Sequence, residues 1–107
     1  MERHHVIFKS QLGLDFELNY KYLTSKEHRG DNGPHKCREA DLRYKIELQE
    51  ALESILKEDY YTLEEVVELL NLNQGQAHKA FRKLITYRGI KREDAIKRLM
   101  GGRFYKR

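Results

Sequence analysis

Cysteine and proline each occur once in these 107 residues, as Cys37 and Pro34. No apolar run approaches the ~18 to 20 residues that a membrane-spanning helix needs. A single cysteine excludes a disulfide framework and any zinc ribbon built on cysteine pairs, and makes a reducing, cytoplasmic setting the expectation. The basic, histidine-containing start lacks the form of a signal peptide. Internal repeats and low-complexity segments are missing as well. What is present is a richly solvated chain, 39% apolar and 36% charged, of a length suited to one compact unit whose subdomains share a core.

Charge is unevenly placed. Residues 1–36 carry 6 basic and 5 acidic side chains, residues 37–70 carry 4 and 10, and residues 71–107 carry 11 and 2. The last segment therefore has a net charge of +9 inside a chain whose total is +4. That density fits a polyanionic partner, nucleic acid before others, or a solvated surface that balances the acidic middle.

Local patterns divide the chain the same way. Val6-Ile7-Phe8 is a short β-prone run, and Asn19 to Leu23 alternates enough for a second strand, with Gly13 in the loop between them. Arg29 to Pro34 is dense in turn residues, and Pro34 suits the first turn of a following helix. From about His35 to Glu58, Tyr44, Leu48, Ala51 and Ile55 recur at helical spacing. Thr62 followed by Glu65 is a capping-box signature ahead of the apolar face Leu63, Val66, Val67 and Leu70. After the turn Asn71-Leu72-Asn73, the positions Ala77, Ala80, Phe81, Leu84 and Ile85 predict a second helix, and the pair reads as a helix-turn-helix. Gln74, Gln76, His78, Lys79, Arg82 and Lys83 point outward in that reading, toward phosphates or base edges. A third helix is expected from Arg92 to Met100, stopped by Gly101-Gly102. The same pattern also suits a plain helical core with no nucleic acid.

Four of the five histidines, His4, His5, His28 and His35, fall in the first third around Asn19. Imidazole serves two purposes near neutral pH, metal ligation and general base catalysis. Phosphodiester cleavage uses both, a base for water and a divalent ion for the charge that builds on phosphate. Adjacent strand residues point to opposite faces, so His4 and His5 can share a site only where the strand is irregular, which we expect at its start.

The ordered set His4-His5, Gly13, Asn19, the strand Tyr20 to Leu23 and "TSKEH" ending on His28 resembles the HNH (ββα-metal, His-Me finger) endonucleases. It is most similar to their small phage- and prophage-type nicking members, and "NGPHK" and "LMGGRFY" look like further segments of these. The resemblance covers residues 4 to 35. It implies that His4 and His28 ligate Mg2+ or Mn2+, that His5 is the general base and that Asn19 orients it. His35 is a third ligand, a first-turn helix residue without a catalytic part, or a phosphate contact, and Arg29 is either a phosphate contact or a solvated arginine. The products implied are 5′-phosphate and 3′-hydroxyl ends. Thr24 and Glu27 stand where many relatives have zinc-binding cysteines, so a structural zinc is not expected.

The sequence thus predicts an α+β protein: a ββα-metal motif over 1–36, a connecting helix over 37–58, and a helical, helix-turn-helix-like DNA-binding part over 59–107. The expected function is hydrolysis of double-stranded DNA by a cytoplasmic, bacterial or phage-encoded enzyme, without a membrane partner. As a monomer or weak homodimer it would nick one strand. The competing expectation is a non-catalytic DNA-binding protein with a structural metal site.

Overall fold

The computed structural model describes residues 1–106 and has an α+β fold with five helices and two small sheets. β1 (Glu2–His5) and β2 (Tyr20–Leu23) form an antiparallel pair in which His4 lies opposite Lys21 and His5 opposite Tyr20. β1 thus lies N-terminal to the expected run: Val6 and Ile7 have left the strand and are buried in the core. α1 (Ser25–Arg29) follows β2 directly. Thr24 accepts the Glu27 N–H, and the Glu27 carboxylate accepts the Thr24 N–H, so the two residues form a capping box.

α2 (Arg38–Ile55) is shorter at both ends than the periodicity predicts. Pro34 and His35 lie in a turn ahead of it, not in its first turn. Leu48 and Leu52 carry its buried stripe, and so does Lys45, which is only 1% exposed. The Lys45 ammonium bonds Asp41 one turn back and lies 4.3 Å from the centre of the Phe8 ring. These contacts offset the cost of burying the charge.

β3 (Tyr60–Tyr61) leads into α3 (Leu63–Leu70), whose capping box of Thr62 and Glu65 forms as expected. Asn71 turns the chain in the left-handed region at φ 51°, and Asn73 caps α4 (Gln74–Phe81) by accepting the Gln76 N–H. α4 stops earlier than predicted. Ile85 is not on its buried stripe but half exposed, in β4 (Ile85–Thr86), which turns through Tyr87-Arg88 into β5 (Gly89–Lys91). The second sheet has the order β3-β5-β4. β4 and β5 pair antiparallel, Ile85 with Ile90 and Thr86 with Gly89, in the short hairpin that "ITYRGIK" permits. α5 (Arg92–Leu99) ends as predicted before Gly101.

One apolar core joins the ends of the chain. Val6, Ile7, Leu14 and Phe16 from the first third pack with Leu52 and Leu56, with Val66, Leu70 and Phe81, and with Ile96, Leu99 and Met100. Each such side chain, fully buried, contributes about 1.5–3 kcal/mol of transfer free energy. No helix among the described residues is long and apolar enough to cross a membrane.

Two glycines set the loops around the first sheet. A Cβ on Gly13 would stand 1.9 Å from the Ile7 carbonyl oxygen, and one on Gly33 would stand 2.3 Å from Glu27 O and 2.7 Å from His28 O. The loop after α1 therefore crosses the backbone of the helix that carries His28 at a distance only glycine allows. Gly33→Ala is expected to lower stability by about 2 kcal/mol, read as a lower denaturant midpoint, because only the backbone can yield at that crossing.

Candidate metal centre and its neighbouring histidine

Alternation along β1 sorts its side chains. Glu2 and His4 share the face toward α1, whereas Arg3 and His5 share the other. On the first face, Glu2 and His28 lock together, His28 Nδ1 donating to Glu2 Oε1 at 2.7 Å. With Nδ1 used this way, the lone pair of His28 is on Nε2. That nitrogen lies 3.2 Å from His4 Nδ1 and 2.9 Å from His35 Nε2. One nitrogen from each of His4, His28 and His35 lies within 4.8 Å of the others, close enough for a single ion. Separations near 3 Å match neighbouring ligands on an ion at about 2.1 Å. His4 is 2% exposed, and its Nε2 is a buried nitrogen without a hydrogen-bond partner. That orphan lies across the ring from Nδ1, the nitrogen that faces His28, so the fit to an ion rests on the three converging nitrogens and on the carboxylate behind His28, the outer contact such sites use.

Electrostatics keep His4 neutral. Burial first, and then the neighbouring His35 and His28, push the His4 pKa down to about 4. The hydrogen bond from His28, followed by that from Ser25, holds the Glu2 carboxyl below its usual range. Neutral imidazole beside ionised carboxylate is the form that accepts a cation.

His5 stands apart from the three. Its ring packs edge-on against Tyr20, with centres 5.0 Å apart, and its Nε2 donates to Asp15 Oδ1 at 2.7 Å. Even so, His5 lines the same open cleft of about 200 Å³ as His4, His28, His35, Arg3, Phe8 and Lys9. The two neighbouring histidines meet because the cleft lies at the end of the strand, not at an irregular start as expected.

Asn19 does not touch His5. Its fully buried amide accepts the Ile7 N–H at 2.7 Å and donates to Ile7 O at 3.1 Å and Leu14 O at 2.8 Å. It closes the loop that carries Asp15, so any effect on the His5 ring passes through that loop. Arg29 is 75% exposed and pairs with Glu2 Oε2 at 3.1 Å. Among the helix-turn-helix positions, Gln74, Lys79, Arg82 and Lys83 are exposed, as is His78. Gln76 is not free to reach outward: both ends of its amide are bonded to Asp15.

Sequence reasoning missed the parts played by Glu2 and Asp15. Glu2 has a signal, since it stands two residues before His4 on one strand face. Asp15 has none, because its meeting with His5 depends on the path of a loop. Comparison with protein-family models, curated proteins and solved structures finds no match.

Asn19→Asp is expected to cost about 3 kcal/mol or more, because a carboxylate cannot donate to the Ile7 and Leu14 carbonyls and would be buried as a charge. Chemical denaturation at neutral pH measures it. A second expectation concerns pH in the metal-free protein. Since the folded pKa of His4, about 4, lies below the ordinary 6.5, the unfolded chain takes up the proton first. The His4 contribution is fully present above pH 6.5 and is lost as pH falls toward 4, on the order of 3 kcal/mol in all. Denaturation in EDTA across that window should show the decline, and His4→Gln should flatten it.

Proposed function

We propose that this protein is a metal-dependent HNH-type endonuclease that hydrolyses phosphodiester bonds of double-stranded DNA and nicks one strand per event. One observation carries the reading. Three imidazoles converge on a point where one ion fits, and a fourth, from His5, lines the same open cleft but is held outside the cluster by a carboxylate. That is a division between ligands and base, and its order along the chain is that of the HNH resemblance.

A divalent ion held by His4, His28 and His35 would supply Lewis-acid stabilisation of the charge on the phosphate and the leaving oxygen. Three imidazoles suit a transition ion such as Mn2+ better than Mg2+, which prefers oxygen ligands. The chain does the rest. His28 is oriented by Glu2, and His4 is fixed by burial. His5 takes the proton of the attacking water. Lys9 at the rim adds positive charge beside the scissile phosphate, and Arg29 adds more when it leaves Glu2. Exposed His35 leaves the site open to solvent, where a purely structural metal would be enclosed.

Gln74, Lys79, Arg82 and Lys83 on and after α4 supply DNA contacts, mainly to phosphates, whose affinity should fall steeply with salt. The exposed hairpin tip, with Tyr87 and Arg88, offers a further cationic and aromatic contact. With one site per chain, a monomer nicks, and a weak homodimer would be needed to cut both strands together.

Supercoiled plasmid incubated with the protein tests this directly. Open circles should form with Mn2+ and not in EDTA, and His5→Ala should slow their formation by at least about 100-fold. Intact plasmid at every metal and salt, with a retained gel shift, would overturn the reading in favour of a DNA-binding protein without catalysis.

A further inference from the structure

A general base at the end of a strand works only if its ring is held in one orientation and one tautomer. The ring of His5 is held by Asp15. An ionised carboxylate can only accept hydrogen bonds, so the 2.7 Å contact puts the proton on Nε2 of His5 and leaves the lone pair of the neutral ring on Nδ1. Lys9 lies 3.7 Å from the same carboxylate oxygen, and the Tyr20 ring packs against the imidazole.

Asp15 is in turn fixed from far along the chain. Gln76 Nε2 donates to Asp15 Oδ2 at 2.8 Å, and the Asp15 N–H donates to Gln76 Oε1 at 2.9 Å. The two residues are 61 positions apart. Gln76 has little freedom, because its own N–H is the donor to the Asn73 cap of α4 and the next residue, Ala77, is buried in the core. Its exposed companions Gln74 and Lys79 belong to the surface assigned above to DNA.

We propose that Asp15 is the positioning residue of His5, and that Gln76 makes this positioning depend on how α4 is seated. One hydrogen-bonded chain, Gln76–Asp15–His5, then joins the element that contacts DNA to the base that activates water. The inference rests on the reading of His5 as that base. Disturbing α4 should therefore disturb the ring of His5 without touching the three ligand histidines.

A double-mutant cycle on the full-length protein separates positioning from structure. Asp15→Ala should lower kcat for plasmid nicking roughly 10- to 100-fold, with KM for DNA changed by less than about twofold and Mn2+ affinity unchanged. Asp15→Asn, which keeps an acceptor oxygen for His5, should lose less, and Gln76→Ala should lie between wild type and Asp15→Ala. In a His5→Ala background, Asp15→Ala should remove nothing further. Nitrogen NMR of the His5 ring, assigned by its loss in His5→Ala, gives a readout that needs no cleavage. Wild type should show one tautomer protonated at Nε2, and Asp15→Ala a mixture. An unchanged ring spectrum in Asp15→Ala, or an equal loss of activity with and without His5, would overturn the proposal. Wild type that never nicks DNA, yet keeps the Asp15-dependent tautomer, would instead refute the nuclease reading and leave the hydrogen-bonded chain standing as a structural contact.

Discussion

The side-chain amide of Asn19 holds the site together. It is fully buried, and its three hydrogen bonds all go to backbone atoms of Ile7 and Leu14, at the two ends of one loop. The backbone carbonyl of Asn19 also accepts the Val6 N–H at 2.8 Å, which ties the end of β1 to the start of β2. A side chain with two donors and an acceptor can satisfy both a carbonyl and an N–H, which aspartate or leucine of similar size cannot. Once closed, the loop sends Ile7, Leu14 and Phe16 into the core and presents Asp15 on the outside. From the other side, Arg98 donates to Leu12 O at 3.0 Å, and Gly101 lies so close to Gln11 that a Cβ would stand 2.3 Å from its carbonyl oxygen. The loop is thus gripped from both ends of the chain, and the end of β1 inherits its rigidity.

On that base, the two-residue period of a strand separates two chemistries. Glu2 and His4 face α1 and His28, whereas His5 faces the Asn19 loop and Asp15. Each face has one carboxylate hydrogen-bonded to one imidazole, and each carboxyl is held below its usual range chiefly by that bond. The partners differ. On the α1 face a bonded histidine joins two others close enough to hold one ion, and on the loop face a histidine is left with one nitrogen bonded and the other free. Burial first, and then the neighbouring imidazoles, disfavour a proton on His4, so its ring stays available to a cation. An ion that binds the three nitrogens only in the folded chain would link ion affinity to fold stability.

The sequence was legible where the signal is local. The capping box of Thr62 and Glu65 and the buried faces of α3 and α5 lie within a few residues of the pattern that betrays them, whereas the meeting of His4 with His28 was expected from the resemblance alone and the part of His35 was left open. It was less legible where two periods compete. Leu84 and Ile85 continue the helical spacing of Ala77 and Phe81, and so hid a hairpin whose turn and β-branched residues were also in view. Phe8, read as part of a strand, instead lies under the Lys45 ammonium and beside His35. Lys45 looks like a solvated helix residue until the chain places Asp41 and Phe8 around it. Asp15 and Gln76 were beyond local reading, since their meeting joins distant segments through a loop whose course depends on Asn19.

That meeting also changes what Gln76 can do. A carboxamide has limited capacity, and here its nitrogen donates to the Asp15 carboxylate while its oxygen accepts the Asp15 N–H. To read a base edge it would have to break both, and so release the residue that holds His5. The physical consequence is a division of labour along one short helix. Exposed cationic and polar side chains can exchange water for phosphate at little internal cost, whereas the half-buried amide between them stays committed to the protein. Orientation of a reacting group must be in place before substrate arrives if binding is to lower the barrier and not merely assemble the site. Anchoring His5 through α4, whose Ala77 and Phe81 are fully buried, makes the orientation of its ring a property of the shared core.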